Sequence, residues 1–263
     1  AVYSSILAII EVGATLRYEF AFPLPEKDSD AINLFGLCLI LLIFTTTLLA
    51  AGLFFGSEII TSYYGDYAVV KPYLWLLIPG FAGMGLYTIL NYWVIRKQNY
   101  RQITHTLINR GFGSSITNIS LGLLSFGSIG LITGYIVSQV VGIGTLTRLM
   151  WINDRENLKK ISLSRIKQVA FTYRRFPVFS FPASIVNTIS LQVPSLMFLV
   201  IYDARIAGLY ALARIVVVMP GSVISGSMGQ AYYGEISKMI REKSRGLRSL
   251  YLSTLKHLTV ISI

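Results

Sequence analysis

The sequence predicts an all-α fold, a polytopic helical bundle in a membrane, and three observations predict it. Mean hydropathy is +0.62, with 54% apolar and 13% charged residues, about half the charged fraction of an average soluble domain. Apolar windows of about 20 residues, long enough to cross a bilayer, recur along the 263-residue chain. Basic residues collect in every second connection between those windows, the imprint that insertion leaves on a polytopic protein.

Spans are predicted at residues 1–22, 31–55, 73–95, 104–126, 129–151, 178–202 and 206–232, with an eighth from about Leu247 that is cut off. The fourth is the most polar, because Asn109, Arg110, Ser114, Ser115, Thr117, Asn118 and Ser120 dilute it. A helix that polar is expected to face a bundle interior or a watery cavity. Both ends of the chain lie inside apolar stretches, residues 1–10 and 258–263, which predicts a sequence truncated at both ends.

The connections set the orientation. Those after the first, third, fifth and seventh spans carry Arg17 and Lys27, then Arg96, Lys97, Arg101 and Arg110, then the bases between Arg148 and Arg175, then those between Lys238 and Lys256. The alternate connections carry little beyond Asp66 with Lys71 and Asp203 with Arg205. The positive-inside rule makes the basic loops cytoplasmic. The longest of them, residues 153–176, repeats Ile161, Leu163, Ile166, Val169, Ala170 and Tyr173 at near-helical spacing among basic residues. It reads as an amphipathic helix lying on an anionic membrane surface. The chain thus divides into a first bundle (1–152), a cytoplasmic linker (153–176) and the start of a second bundle (177–263).

Composition excludes several functions. The net charge of +11 follows from membrane topology, and no soluble basic module points to nucleic acid. The single cysteine, Cys38, permits no internal disulfide and no cysteine metal site. No metal-ligand spacing, phosphate-binding glycine loop or nucleophile motif is present, and the two histidines, His105 and His257, fall near span ends. Neither a catalytic constellation nor a cofactor is predicted.

Charges inside spans cost about 2.5 to 3.5 kcal/mol, so each is a candidate for function. Glu11, Arg17, Glu19 and Arg214 are the candidates. Arg214 lies about two helical turns into its span and is the leading substrate contact. Its structural alternatives are outward snorkelling and pairing with a carboxylate such as Glu11. Arg17 and Glu19 sit nearer a span end, where snorkelling is easier. A guanidinium facing a cavity suits a phosphate or pyrophosphate through its planar fork. Amide side chains within spans, notably Asn91, Asn118, Asn187, Gln192 and Gln230, suit sugar hydroxyls as a set, although each alone is better explained as joining helices. Prolines 79, 177, 182, 194 and 220 predict kinks, and Ser222, Ser225, Gly226 and Gly229 form small-xxx-small packing pairs. Tyr63, Tyr64, Tyr67, Tyr73, Trp75, Tyr92, Trp93, Trp151, Tyr202, Tyr232 and Tyr233 read as interfacial belts.

The segment from Leu16 to Ala21 (LRYEFA) followed by Pro23-Leu24-Pro25, then Asn91-Tyr92-Trp93 with Arg96-Lys97, then Gly208 to Arg214 (GLYALAR), and last Gly229-Gln230 with Tyr232-Tyr233, resembles the Wzx-type oligosaccharide flippases of polysaccharide biosynthesis. Their superfamily also holds multidrug exporters and lipid II flippases. The resemblance runs over essentially the whole chain and implies two helical bundles, with the first bundle here lacking its first span. It implies transport of an undecaprenyl-pyrophosphate-linked oligosaccharide across the bacterial inner membrane by alternating access. Membrane lipids and polysaccharide polymerases are the further partners implied, and no enzyme activity is expected. Arg17 and Arg214 would meet the pyrophosphate, and the amides the sugar. A cation-coupled exporter of the same superfamily is the nearest alternative, kept open by Glu11 and Glu19. A membrane glycan polymerase or ligase would need a large external loop with catalytic bases.

Overall fold

The computed structural model describes residues 2–63, 74–243 and 246–261. The described residues form helices joined by short turns, with no strand among them. The helices are α1 (Val2–Glu11), α2 (Asp28–Tyr63), α3 (Leu77–Arg96), α4 (Tyr100–Leu123), α5 (Ser128–Leu158), α6 (Leu163–Thr172), α7 (Phe181–Ile201), α8 (Ala204–Arg241) and α9 (Leu247–Ile261). Three stretches, Asp28–Gly56, Ile129–Ile152 and Phe176–Ile201, are long and apolar enough to cross a bilayer. The chain is a membrane protein built as an all-α bundle. Tyr64, Asp66, Tyr67, Lys71 and Tyr73 lie outside the described residues, as do the side chains of Tyr63, Pro220, Lys256 and His257.

Local chemistry sets most helix ends. Asp28 and Asp30 open α2, where acids complement the positive end of the helix dipole, and Arg96 closes α3 at the negative end. Asp203 caps α8 by accepting from the Ile206 amide at 2.7 Å. A π-helical turn at Phe176–Ser180, holding Pro177, leads straight into α7, where Pro182 takes an early position and Pro194 lies inside. One predicted span is corrected. Residues 1–22 are not a single helix: α1 stops at Glu11, Leu16 and Arg17 adopt positive φ of 53° and 64°, and a 3-10 turn follows at Tyr18–Ala21. Apolarity alone did not reveal that turn, because the residues that make it are as buried as a helix would be.

The core lies where α2, α3 and the 18–25 turn meet. Trp93 is 2% exposed, with Phe22 and Phe35 ring centroids at 6.4 and 5.8 Å, and donates its indole N–H to Asp154 at 3.0 Å. Trp93 is therefore a core residue and not part of an interfacial belt, whereas Trp75 and Trp151 are exposed as predicted. The small-xxx-small reading of α8 finds no partner among the described residues, where a Cβ on Gly226 or Gly229 would meet nothing within 4 Å. Close helix approach occurs instead at Gly85, where an added Cβ would lie 2.5 Å from Leu42 and 3.2 Å from Ala14.

Helix α6 docks on the end of α2. Ile166 and Val169 are buried, Asn33 accepts from the Ser162 amide at 2.8 Å and donates to the Lys160 carbonyl at 3.2 Å, and Tyr18 donates to the Ala170 carbonyl at 3.0 Å. Leu163 and Phe171 stay exposed on the other face, which gives the amphipathic character read from the sequence.

Candidate functional site

Two polar groupings tie the first half of the chain to the α7–α8 hairpin. The first lies part-way along the helices. Gln192 of α7 accepts through Oε1 from Ser5 Oγ of α1 at 3.0 Å and from Arg214 Nη1 of α8 at 3.3 Å. Arg214 is half-buried and, ten residues into α8, lies about 15 Å along the helix from its start. It meets Gln192 and not Glu11, and it pairs with no carboxylate among the described residues.

The second grouping gathers at the end of the bundle where basic residues collect. The turn after α1 places Arg17 Nη1 3.3 Å from Glu19 Oε1, with Thr15 Oγ1 also donating to Glu19. The Arg17 side chain is 14% exposed, so it pairs inward and does not snorkel. Its guanidinium carbon lies 5.1 Å above the Phe20 ring. Phe20 packs at 5.1 Å on Tyr92 of α3, and Tyr92 at 6.5 Å on Tyr233 of α8, whose hydroxyl donates to the Phe20 carbonyl. Members of three sequence motifs thus meet in one aromatic chain. Further bonds join the same two parts: Gln98 to Glu235 at 2.7 Å, Tyr100 to the Ala231 carbonyl at 3.3 Å, and Arg241 to the Pro23 carbonyl at 2.6 Å.

Around this junction opens a cleft of about 560 Å³, lined by Glu26, Asp28, Arg96, Lys97, Gln98, Lys238 and Arg241. Arg96 is structural within it. Buried at 5% exposure, it donates to the Phe22 and Pro25 carbonyls at 2.8 and 2.9 Å and forks onto Asp28 Oδ1 at 2.7 and 3.2 Å. Burial first, and then the nearby Arg96 charge, hold the Arg241 pKa below the usual guanidinium value.

The remaining predicted residues scatter. Asn91 is buried with no partner for Oδ1. Asn118 donates to Ser114 at 3.3 Å and lies against Gly134 where α4 packs on α5. Asn187 is exposed and Gln230 half-buried, and no hydrogen bond draws either into the two groupings. Sequence reasoning placed Arg110 in the polar fourth span and among the loop bases, and did not name it as a candidate charge. It lies inside α4, with its guanidinium carbon 3.9 Å above the Tyr87 ring and Nε donating to Ser138 at 3.3 Å. The signal was its place within the fourth span itself. Another cleft, of about 540 Å³, opens between α4 and α5, where Gln102, Asn109, Thr145 and Arg148 share the lining with Gly144, Leu149 and Ile152.

No metal-binding cluster of His, Cys, Asp and Glu occurs among the described residues. What the arrangement offers is a half-buried guanidinium bonded to one amide and a polar seam between two helical parts. No curated protein and no solved structure matches the chain. The family model described as polysaccharide biosynthesis protein matches residues 26–263, from the start of α2 to the last residue, with Arg17 and Glu19 just ahead of it. With that match over most of its length, the chain belongs to the polysaccharide biosynthesis protein family.

Proposed function

We propose that the protein is a flippase that carries an undecaprenyl-pyrophosphate-linked oligosaccharide across the bacterial inner membrane by alternating access, and that it acts as a multi-pass transporter and not as an enzyme. The observation that carries this reading is Arg214, a guanidinium held within the bundle by one neutral acceptor, Gln192. An arginine paired with a neutral amide leaves its charge uncompensated for a ligand, whereas one paired with a carboxylate has its charge already balanced. Its fork matches a pyrophosphate. The basic end then faces the cytoplasm, and the seam from Gln98 to Arg241 is the contact that opens to admit substrate. The Gln192 amide beside Arg214 serves the sugar, and the prenyl tail stays in lipid. Polysaccharide polymerases would take up the delivered product.

The family match supports a role in polysaccharide biosynthesis or export, and the polar seam between two helical parts supports movement between them. The test is deletion of the full-length gene in its host, followed by measurement of the leaflet in which undecaprenyl-linked oligosaccharide accumulates. Accumulation on the cytoplasmic face, rescued by wild type and not by Arg214→Ala, is the expected result. Unchanged lipid-linked sugar would favour the cation-coupled exporter, for which the buried Glu11 and Glu19 are the supporting observation.

A further inference from the structure

Helices α4 and α5 pack side by side in opposite directions, and their contacts fix the register between them. Arg110 meets Ser138, Gly113 faces Val141, and Asn118 lies against Gly134. Continued toward the other end of the pair, that register sets Asn109 level with Gly144 and Gln102 level with Ile152, with Arg148 between the two levels. These residues line the cleft of about 540 Å³. From Gln102 to Asn109 it runs inward along the helices by about 10 Å.

Two features place this cleft at the membrane surface. The apolar span of α5 ends at Ile152, and beside it Trp151 is 57% exposed with the Arg155 guanidinium carbon 5.2 Å above its ring. An exposed tryptophan next to a base marks a bilayer interface. Arg148 lies one turn inside that end, about 6 Å, a depth from which an arginine stem lifts its charge to the level of lipid phosphates. It is exposed and belongs to no ion pair among the described residues. Asp154, the carboxylate closest to it in sequence, turns to Trp93 and Lys97 instead. Asn109, a level deeper, is exposed as well, and an amide facing hydrocarbon without a partner is costly. Gly144 keeps the cleft open, since a Cβ there would meet nothing within 4 Å.

We propose that this cleft seats one anionic phospholipid of the bilayer. The lipid phosphate accepts from the Arg148 guanidinium, Gln102 meets the headgroup on the water side, and the Asn109 amide donates to a glycerol ester carbonyl below. A net negative headgroup is selected because Arg101, Arg148 and Arg155 stand at this end, where a headgroup carrying its own ammonium would meet like charge. The site shares no residue with the Arg214 grouping and stands whether or not the chain carries an oligosaccharide.

The test uses the full-length protein in nanodiscs of phosphatidylcholine and phosphatidylglycerol, with a photo-crosslinking amino acid in place of Ile152 and mass spectrometry of the lipid adducts. Phosphatidylglycerol should exceed its share of the bilayer about tenfold among the adducts, the worth of one charge-assisted hydrogen bond. The same amino acid in place of Ile43, exposed on α2, should return the bilayer ratio. Arg148→Gln should bring the adducts at position 152 to that ratio, and so, independently, should Gly144→Leu, which fills the cleft without touching a charge. Both substitutions fall at exposed positions, so the fold survives them. Adducts in the bilayer ratio from the otherwise unaltered protein, enrichment that persists in either variant, or equal enrichment at position 43 overturns the proposal. Displacement of phosphatidylglycerol by a small fraction of undecaprenyl phosphate overturns it as well, in favour of a seat for the prenyl-linked carrier.

Discussion

Gln192 and Arg214 join consecutive helices: the amide oxygen accepts from the guanidinium at 3.3 Å while also accepting from Ser5 at 3.0 Å. Three helices therefore meet on one oxygen. Gln192→Leu removes both bonds and leaves Arg214 without an acceptor in the membrane. Such interhelical bonds contribute about 0.6 to 2 kcal/mol, so transport by this variant should fall about tenfold, the equivalent of ~1.4 kcal/mol. Arg214→Ala should abolish it with membrane insertion intact, and Lys159→Ala, at an exposed position, should leave it unchanged. Rates of lipid-linked oligosaccharide appearance on the outer leaflet, normalised to protein in the membrane, check all three.

The fold class was legible because hydropathy reports solvent, and the helices at six of the seven full predicted spans fall where apolar periodicity placed them. The turn at residues 12–21 was not, because contacts distant in sequence hold it: Phe20 packs on Tyr92, and its carbonyl accepts from the Tyr233 hydroxyl. Nothing local in LRYEFA distinguishes that turn from a helix. Candidate charges were legible as costly, but their partners were not. Arg214 meets an amide, Glu11 a hydroxyl, and Arg110 an aromatic face, and each of those contacts depends on how helices pack.

Arg110 and Tyr87 owe their stacking to a missing side chain. A Cβ on Gly142 would fall 2.8 Å from Arg110 Cδ and 2.9 Å from Tyr87 Cδ2. Gly142→Ala should therefore displace the cation from the ring and lower stability by about 1 to 3 kcal/mol. Gly144 has nothing within 4 Å, and Gly144→Ala should stay within about 0.5 kcal/mol of wild type. Thermal unfolding of the two variants in the same detergent separates them.

Arg96 carries more structure than its partner Asp28. The guanidinium satisfies two backbone carbonyls as well as the carboxylate, and it is 3% exposed against 48% for Asp28. Arg96→Ala should leave those carbonyls unpaired and cost about 3 kcal/mol or more. Asp28→Asn keeps an acceptor at a half-exposed site and should cost about 1 kcal/mol. Arg96→Lys should not rescue, since an ammonium cannot reproduce the fork. Yield of folded protein and its thermal midpoint rank the variants.

The seam at the basic end can be tested by locking it. Gln98 and Glu235 touch at 2.7 Å between side-chain ends, on parts of the chain 137 residues apart. If alternating access is the mechanism, this contact must break in every cycle, together with the Tyr100, Tyr233 and Arg241 bonds beside it. Cys38 is fully buried, so a Gln98→Cys, Glu235→Cys protein presents its two new thiols almost alone to a short bifunctional thiol reagent. Cross-linking should stop transport, a reducible reagent should allow recovery on reduction, and each single variant treated alike should transport normally. The bonds being individually worth about 1 kcal/mol, the uncross-linked double variant should open at least as readily as wild type. Transport at the wild-type rate by the cross-linked protein would show that the seam stays closed throughout, and the moving parts would then have to lie elsewhere, with α7 and α8 shifting at the Gln192 contact alone.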